Sequence, residues 1–160
     1  DLDLYYNKRT YYICTYKTNN SMWTRSYSTE TNKVNAEQMY NLFADVNNWA
    51  SWDPGVEHAS IEGPFAAGNH FMLRPKGGPD VKVELLETEP NKRFLDVTKF
   101  PLAKMYDEHL FEATPNGLKI TNTITVKGPL SFLWVKLVAS KIAESLPEDV
   151  ANQINAAQKL

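Results

Sequence analysis

A chain of 160 residues, 42% hydrophobic and 22% charged, has the size and composition of one globular domain. With 17 basic against 19 acidic residues the net charge is −2, and no basic excess points to nucleic acid. The single cysteine, Cys14, excludes an internal disulfide framework and a cysteine-rich zinc site, so a reducing, cytoplasmic setting is expected.

No apolar run approaches the ~20 residues of a membrane span, and the first residues lack the basic-then-apolar order of a signal peptide. Composition changes near residue 21. Tyr5, Tyr6, Tyr11, Tyr12 and Tyr16 all precede it, as does the cysteine. Residues 1–21 read as an upstream extension, with Met22 resembling a native start. The alternative is an extra strand, because TYYICTYKT is rich in β-formers. Residues 22–160 read as a single domain.

WTRSYSTETN (23–32) reads as a strand. Asn35 with Gln38 three residues on forms a capping box for a helix whose apolar stripe is Ala36, Met39, Tyr40, Phe43 and Val46. Trp49 extends that stripe, and Pro54 and Gly55 stop it. Between them stands Trp52, a side chain fit to wall or seal a cavity. Asp53, before a proline in a turn, is expected to bond its own backbone rather than to catalyse.

From 56 to 127 the period becomes two. VEHASIE, HFMLRP, VKVELLETE, RFLDVTKF, AKMYDEHLFEA and LKITNTITV read as strands joined by short, turn-rich segments, hence antiparallel neighbours. Ser131 is placed to cap a final helix with Phe132, Val135, Ala139, Ile142 and Leu146 on one face. Pro147 is expected to kink it, or Ser145–Glu148 to restart it as a second capping box. The whole is α+β, with a sheet of about seven antiparallel strands whose single apolar face the long helix covers.

Within AKMYDEHLFEA, Met105, Asp107, His109 and Phe111 share a face. Glu108 and Glu112 mark the other face as wet, so Asp107 and His109 look inward. They are the candidate acid/base pair, about 7 Å apart along the strand. The plainer reading, a histidine held for structure, is preferred. In HFMLRP, Phe71 and Leu73 are expected inward and Arg74 outward. Asn122 is the lone polar residue on the inward parity of LKITNTITV. It either has a structural partner or marks a cavity. KGGP (76–79) is a hairpin, not a phosphate loop. His58, His70 and His109 fall on separate strands with no ligand spacing, so no metal or other cofactor is expected.

Three stretches carry a resemblance: DVNNWASWDPGVEHASIEGPF, AAGNHFMLRPKGGPDVKVELLETEPNKRF and DEHLFEATPNGLKITNTITVKGPL. Asp45, Trp49, Trp52, Pro54 and Gly63, with Gly68, Phe94, His109, Gly117 and Gly128, resemble the SRPBCC (START/Bet v 1-like) superfamily, in its polyketide cyclase/dehydrase-like branch. The likeness covers about 23–157. It implies a helix-grip fold with two short helices after the first strand and a hydrophobic cavity under the C-terminal helix. It also implies lipids, sterols, polyketides or aromatic metabolites as ligands. It implies no shared catalytic motif. In such folds Phe132, Leu133, Trp134 and Leu137 border the cavity mouth, and the cavity wall would include Trp52, Phe71, Leu73 and Phe100. Met105, His109, Phe111, Asn122, Trp134 and Val138 complete it.

The first functional expectation is therefore a binder of a small hydrophobic molecule, monomeric or weakly dimeric. The alternative is a cyclase- or dehydrase-like enzyme in which Asp107 and His109 transfer protons. A third is an interaction module with a solid core.

Overall fold

The computed structural model describes residues 10–13, as backbone, and 22–160. Among these, eight strands form one sheet: β1 (Thr10–Ile13), β2 (Met22–Thr31), β3 (Val56–Ile61), β4 (His70–Pro75), β5 (Val81–Glu89), β6 (Arg93–Phe100), β7 (Ala103–Thr114) and β8 (Gly117–Lys127). Every neighbouring pair is antiparallel, in the order β1-β2-β8-β7-β6-β5-β4-β3. The seven expected strands are all present, and β1 adds one at the β2 edge. Apart from β1, the reading of 1–21 as an extension lies outside the described residues.

Helix α1 (Ala36–Ala44) begins as its sequence dictates. The Asn35 side chain accepts from the Gln38 N–H at 2.9 Å, and the Gln38 side chain accepts from the Asn35 N–H at 3.1 Å. The stripe then tightens into a 3₁₀ turn, Val46–Ser51, which carries the chain across to β3 at the far sheet edge. Trp49 is buried there, and its indole N–H donates to Phe43 O at 3.0 Å, so the corner satisfies its one polar atom.

The C-terminal helix comes in three parts: α2 (Ser131–Trp134), a π turn (Val135–Ala139) and α3 (Ser140–Ala157). Leu130, not Ser131, holds the N-cap position, and Ser131 is buried. α3 runs unbroken through Pro147, with neither restart nor new cap at Ser145. Ser145 Oγ instead lies 3.0 Å from Ile142 O and 2.7 Å from Asp149 Oδ2. A mid-helix proline costs about 3 kcal/mol. Burying Leu146 and Val150 against the sheet returns about 1.5–3 kcal/mol each, so packing wins.

The expected single face of the last helix is corrected at its start. Ala139 and Leu146 are buried, and Val135 and Ile142 pack half-buried on the core, but Phe132 is 70% exposed. The π turn closes i→i+5 rather than i→i+4, so the stripe upstream of it falls out of phase with the stripe downstream.

Alternation assigns the two sheet faces. Outward on β2 and β8 stand Thr24 with Thr125 and Ser26 with Thr123, hydroxyl pairs at 3.1 and 2.9 Å, and Ser28 with Thr121. Inward on β8 stand Leu118, Ile120, Asn122, Ile124 and Val126, all buried.

A polar site between the sheet and the C-terminal helix

Strand register lays two inward rows side by side. The first runs Tyr27–Asn122–His109–Phe94 across β2, β8, β7 and β6. The second runs Arg25–Ile124–Asp107–Asp96–Leu85 and reaches β5. Polar groups thus sit in the middle of an otherwise apolar face, each held by a strand rather than a loop.

His109 is 7% exposed, stacked on Phe94 (centroids 4.3 Å, planes 13° apart) and tilted against Phe43 at 4.6 Å. Its Nε2 lies 3.5 Å from Asp107 Oδ1, too poorly aligned for a hydrogen bond, and its Nδ1 has no partner among the described residues. The pair therefore approaches as the shared parity foretells, with Nδ1 the one ring nitrogen left buried without a partner among the described residues. Asn122, 1% exposed, has no partner for either amide atom among the described residues. From the covering helix, Gln153 is buried with its Oε1 also unpartnered. Each such orphaned group costs about 1–3 kcal/mol when nothing replaces water.

Carboxyl groups continue the site toward the surface. Burial, and then the charge of Asp107 opposite, holds the Asp96 carboxyl well above its ordinary range. Burial also raises Asp149 on α3, against a bond from Ser145 that lowers it; the charges of Asp53, Glu148 and Asp107 raise it further. Burial raises Asp53, while the Gly55 N–H, donating to its Oδ1 at 2.7 Å, pulls the other way. Asp53 thus bonds its local turn, as expected of it.

The remaining expected wall residues fall into two groups. Phe71 is buried against Trp49 at 5.0 Å, Phe111 is buried beside Phe43, and Leu73 and Met105 pack half-buried on the core. At the other end, Phe100 stacks on Trp134 at 4.4 Å with planes 9° apart, and Val138 is half-exposed on the π turn. Arg74 points outward, bonded to Asp80 through Nε and Nη2 at 2.7 Å each. Trp52 is half-buried, edge-on to Phe43 at 6.1 Å. It also lines two surface grooves, of about 480 and 510 Å³, that meet at Ser51, Trp52 and Asn152. Two rings, Trp52 and Phe43, therefore separate those grooves from His109.

Asp96, Asp149 and Gln153 were missed in the sequence. Asp96 shares parity with Phe94 and Thr98, but Leu95 and Val97 make both faces of RFLDVTKF read apolar. Among the described residues no three His, Cys, Asp or Glu side chains gather into a metal-holding group.

Residues 22–153 match the family model described as polyketide cyclase / dehydrase and lipid transport. The chain belongs to that family. No curated protein matches its sequence. Solved structures similar to this family member include a START superfamily protein from Mycobacterium smegmatis (14% identity, TM-score 0.61, 84% of this chain and 97% of that one). Ara h 8.0201 is similar at 14% identity and TM-score 0.61, over 86% of this chain and 96% of that one. The di-domain ARO/CYC BexL from the BE-7585A biosynthetic pathway is similar at 13% identity and TM-score 0.65, over 89% of this chain. The match takes in 50% of BexL, so this chain spans about half its length. At these identities the likeness is one of fold: a curved antiparallel sheet gripping a long C-terminal helix.

In this member the family-like residues are chiefly architectural. Trp49 fills the corner, and Gly117 and Gly128 hold positive φ where a Cβ would strike the backbone at Thr31 and Leu102.

Proposed function

We propose that this protein binds a small, largely apolar molecule between the sheet and the C-terminal helix, in a reducing compartment such as the cytoplasm. In this reading the ligand's polar group meets Asn122, His109 and Gln153. The observation that carries it is Asn122, with both amide atoms buried and, among the described residues, unpartnered on the inward face of β8. Phe43, Phe94 and Phe111, packed on one another beside His109, make the surroundings of this polar row aromatic and apolar, the setting an apolar ligand favours. The lipid-transport and cyclase descriptions of the family support the same class of ligand.

Asn122→Leu tests it. The variant should lose affinity for a fluorescent apolar probe at least tenfold yet melt higher than the wild type, because the orphaned amide is gone. A lower melting temperature with unchanged affinity would show the amide to be a structural group. Native mass spectrometry of freshly purified protein is expected to reveal a co-purified small molecule.

A second reading, proton transfer on a bound carbonyl compound, is favoured by the 3.5 Å approach of His109 Nε2 to Asp107 Oδ1. It predicts that His109→Gln keeps ligand binding but loses turnover of a polyketide analogue. Unchanged turnover would remove His109 from catalysis.

A further inference from the structure

One end of the molecule leaves large apolar side chains uncovered among the described residues. Leu102, at the tip of the β6–β7 turn, is 66% exposed, and Phe132, Leu137 and Met22 are exposed as well. Hydrogen bonds draw these elements together: Leu130 N–H donates to Leu102 O at 3.2 Å, and the Trp134 indole donates to Pro101 O at 3.0 Å. Met22 pairs with Lys127 across β2 and β8. Leu102 is also held at φ 56°, after Pro101, in the position where a tight turn ordinarily takes glycine. The chain thus keeps a strained leucine and aims it at solvent.

The same end is basic. Register sets Lys99 opposite Lys104, and Lys104 opposite Lys127, a row of like charges that is unfavourable by itself. Glu84 meets Lys99 at 2.7 Å, and Lys127 Nζ stands 5.2 Å over the Tyr106 ring. Exposed Lys136 and Lys141 follow in the C-terminal helix. No Asp or Glu occurs between Asp96 and Asp107, or between Glu112 and Glu144, in a chain whose net charge is nevertheless −2. A shallow groove of about 460 Å³ runs among Lys99, Phe100, Leu102, Lys104, Lys127 and Pro129.

We propose that this end docks on an anionic lipid bilayer. Leu102 and Phe132 would enter the headgroup boundary while the lysines reach the lipid phosphates, their long stems lying along the apolar surface. A bilayer satisfies both features at once. A second copy does not, because a twofold contact sets the same lysines against each other. The proposal is independent of the ligand reading, since docking requires no cavity.

The test is co-sedimentation with phosphatidylcholine vesicles and with phosphatidylcholine–phosphatidylglycerol vesicles. The protein should bind only the anionic vesicles, less tightly as salt is raised. Lys104→Gln with Lys127→Gln should lower the partition coefficient about fivefold per charge removed. Leu102→Ser with Phe132→Ser, both at exposed positions, should abolish binding while leaving the melting curve unchanged. Lys33→Gln with Lys92→Gln, at the opposite end of the sheet, should bind like wild type. No binding to anionic vesicles would overturn the proposal. So would undiminished binding by the Leu102/Phe132 variant, an equal loss in the Lys33/Lys92 control, or a solution dimer that the Leu102/Phe132 variant disperses.

Discussion

Asp96 faces Asp107 across β6 and β7, and burial keeps its carboxyl protonated well above the usual carboxylate range. The unfolded chain releases that proton near pH 4. Below this, both states hold it and the fold keeps its full stability. As pH climbs, the unfolded state gives up the proton and the folded state does not, so stability falls until the raised folded value is passed. Asp96→Asn should therefore be the more stable protein at about pH 8, with the advantage vanishing at about pH 4. Urea midpoints measured across that range check this, and parallel pH profiles for both proteins would sink it. The asymmetry between Asp96 and Asn122 shows what single residues reveal in advance. Asn122 announced itself as one polar group among aliphatic ones, whereas Asp96 hid in a strand with apolar residues on both faces. His109 lay between these cases: alternation gave its direction, but only the structure puts it between Phe94 and Phe43 without a partner for Nδ1.

Among the elements, the strands were legible because short, turn-rich joints leave little freedom in how neighbours pair, and each of the six readings after residue 55 became a strand. The capping box at Asn35 likewise acts locally and appears as written. The C-terminal helix is less legible. Its continuity through Pro147 depends on tertiary burial, and its π turn leaves no mark in a pattern analysed with a uniform 3.6-residue period. The close packing of the β6–β7 turn on the end of β8 carries a prediction of its own. Gly128 has φ 129°, and a Cβ there would lie 2.5 Å from Leu102 O. Gly128→Ala should cost about 1–3 kcal/mol, seen as a drop of several degrees in thermal melting. An unchanged melting temperature would mean that turn and strand end move apart freely.

At the scale of the whole molecule, β2 pairs with β8, so the first and last long strands lie side by side. The helix of the grip buries Leu146, Val150, Gln153 and Ala157. No helix among the described residues is long and apolar enough to cross a membrane. The architecture was legible because its marker residues are turns and corners, which obey local rules. The occupant was not, because apolar association asks for surface rather than a motif. A bound molecule stabilises by mass action, about 2.7 kcal/mol at a hundredfold excess over its dissociation constant. Stripping the purified protein over a lipid-adsorbing resin should thus lower its melting temperature by several degrees, and adding back the extract should restore it. Identical melts before and after stripping would argue for an interior that needs no guest.

The π turn reaches beyond the helix that contains it. Each residue of an α-helix turns the chain about 100°. Five residues of the wide turn advance the chain by about as much as four of an ordinary one, so loss of a single codon within Val135–Ala139 would close the turn and leave Phe132 facing nearly as it does now, relative to Leu146 and Val150. One in-frame deletion would thus remove a residue of the helix without redirecting the aromatic ring at its tip. The extra residue is absorbed inside the turn, and what it changes is the spacing at which the sequence writes one face, not the direction that face takes.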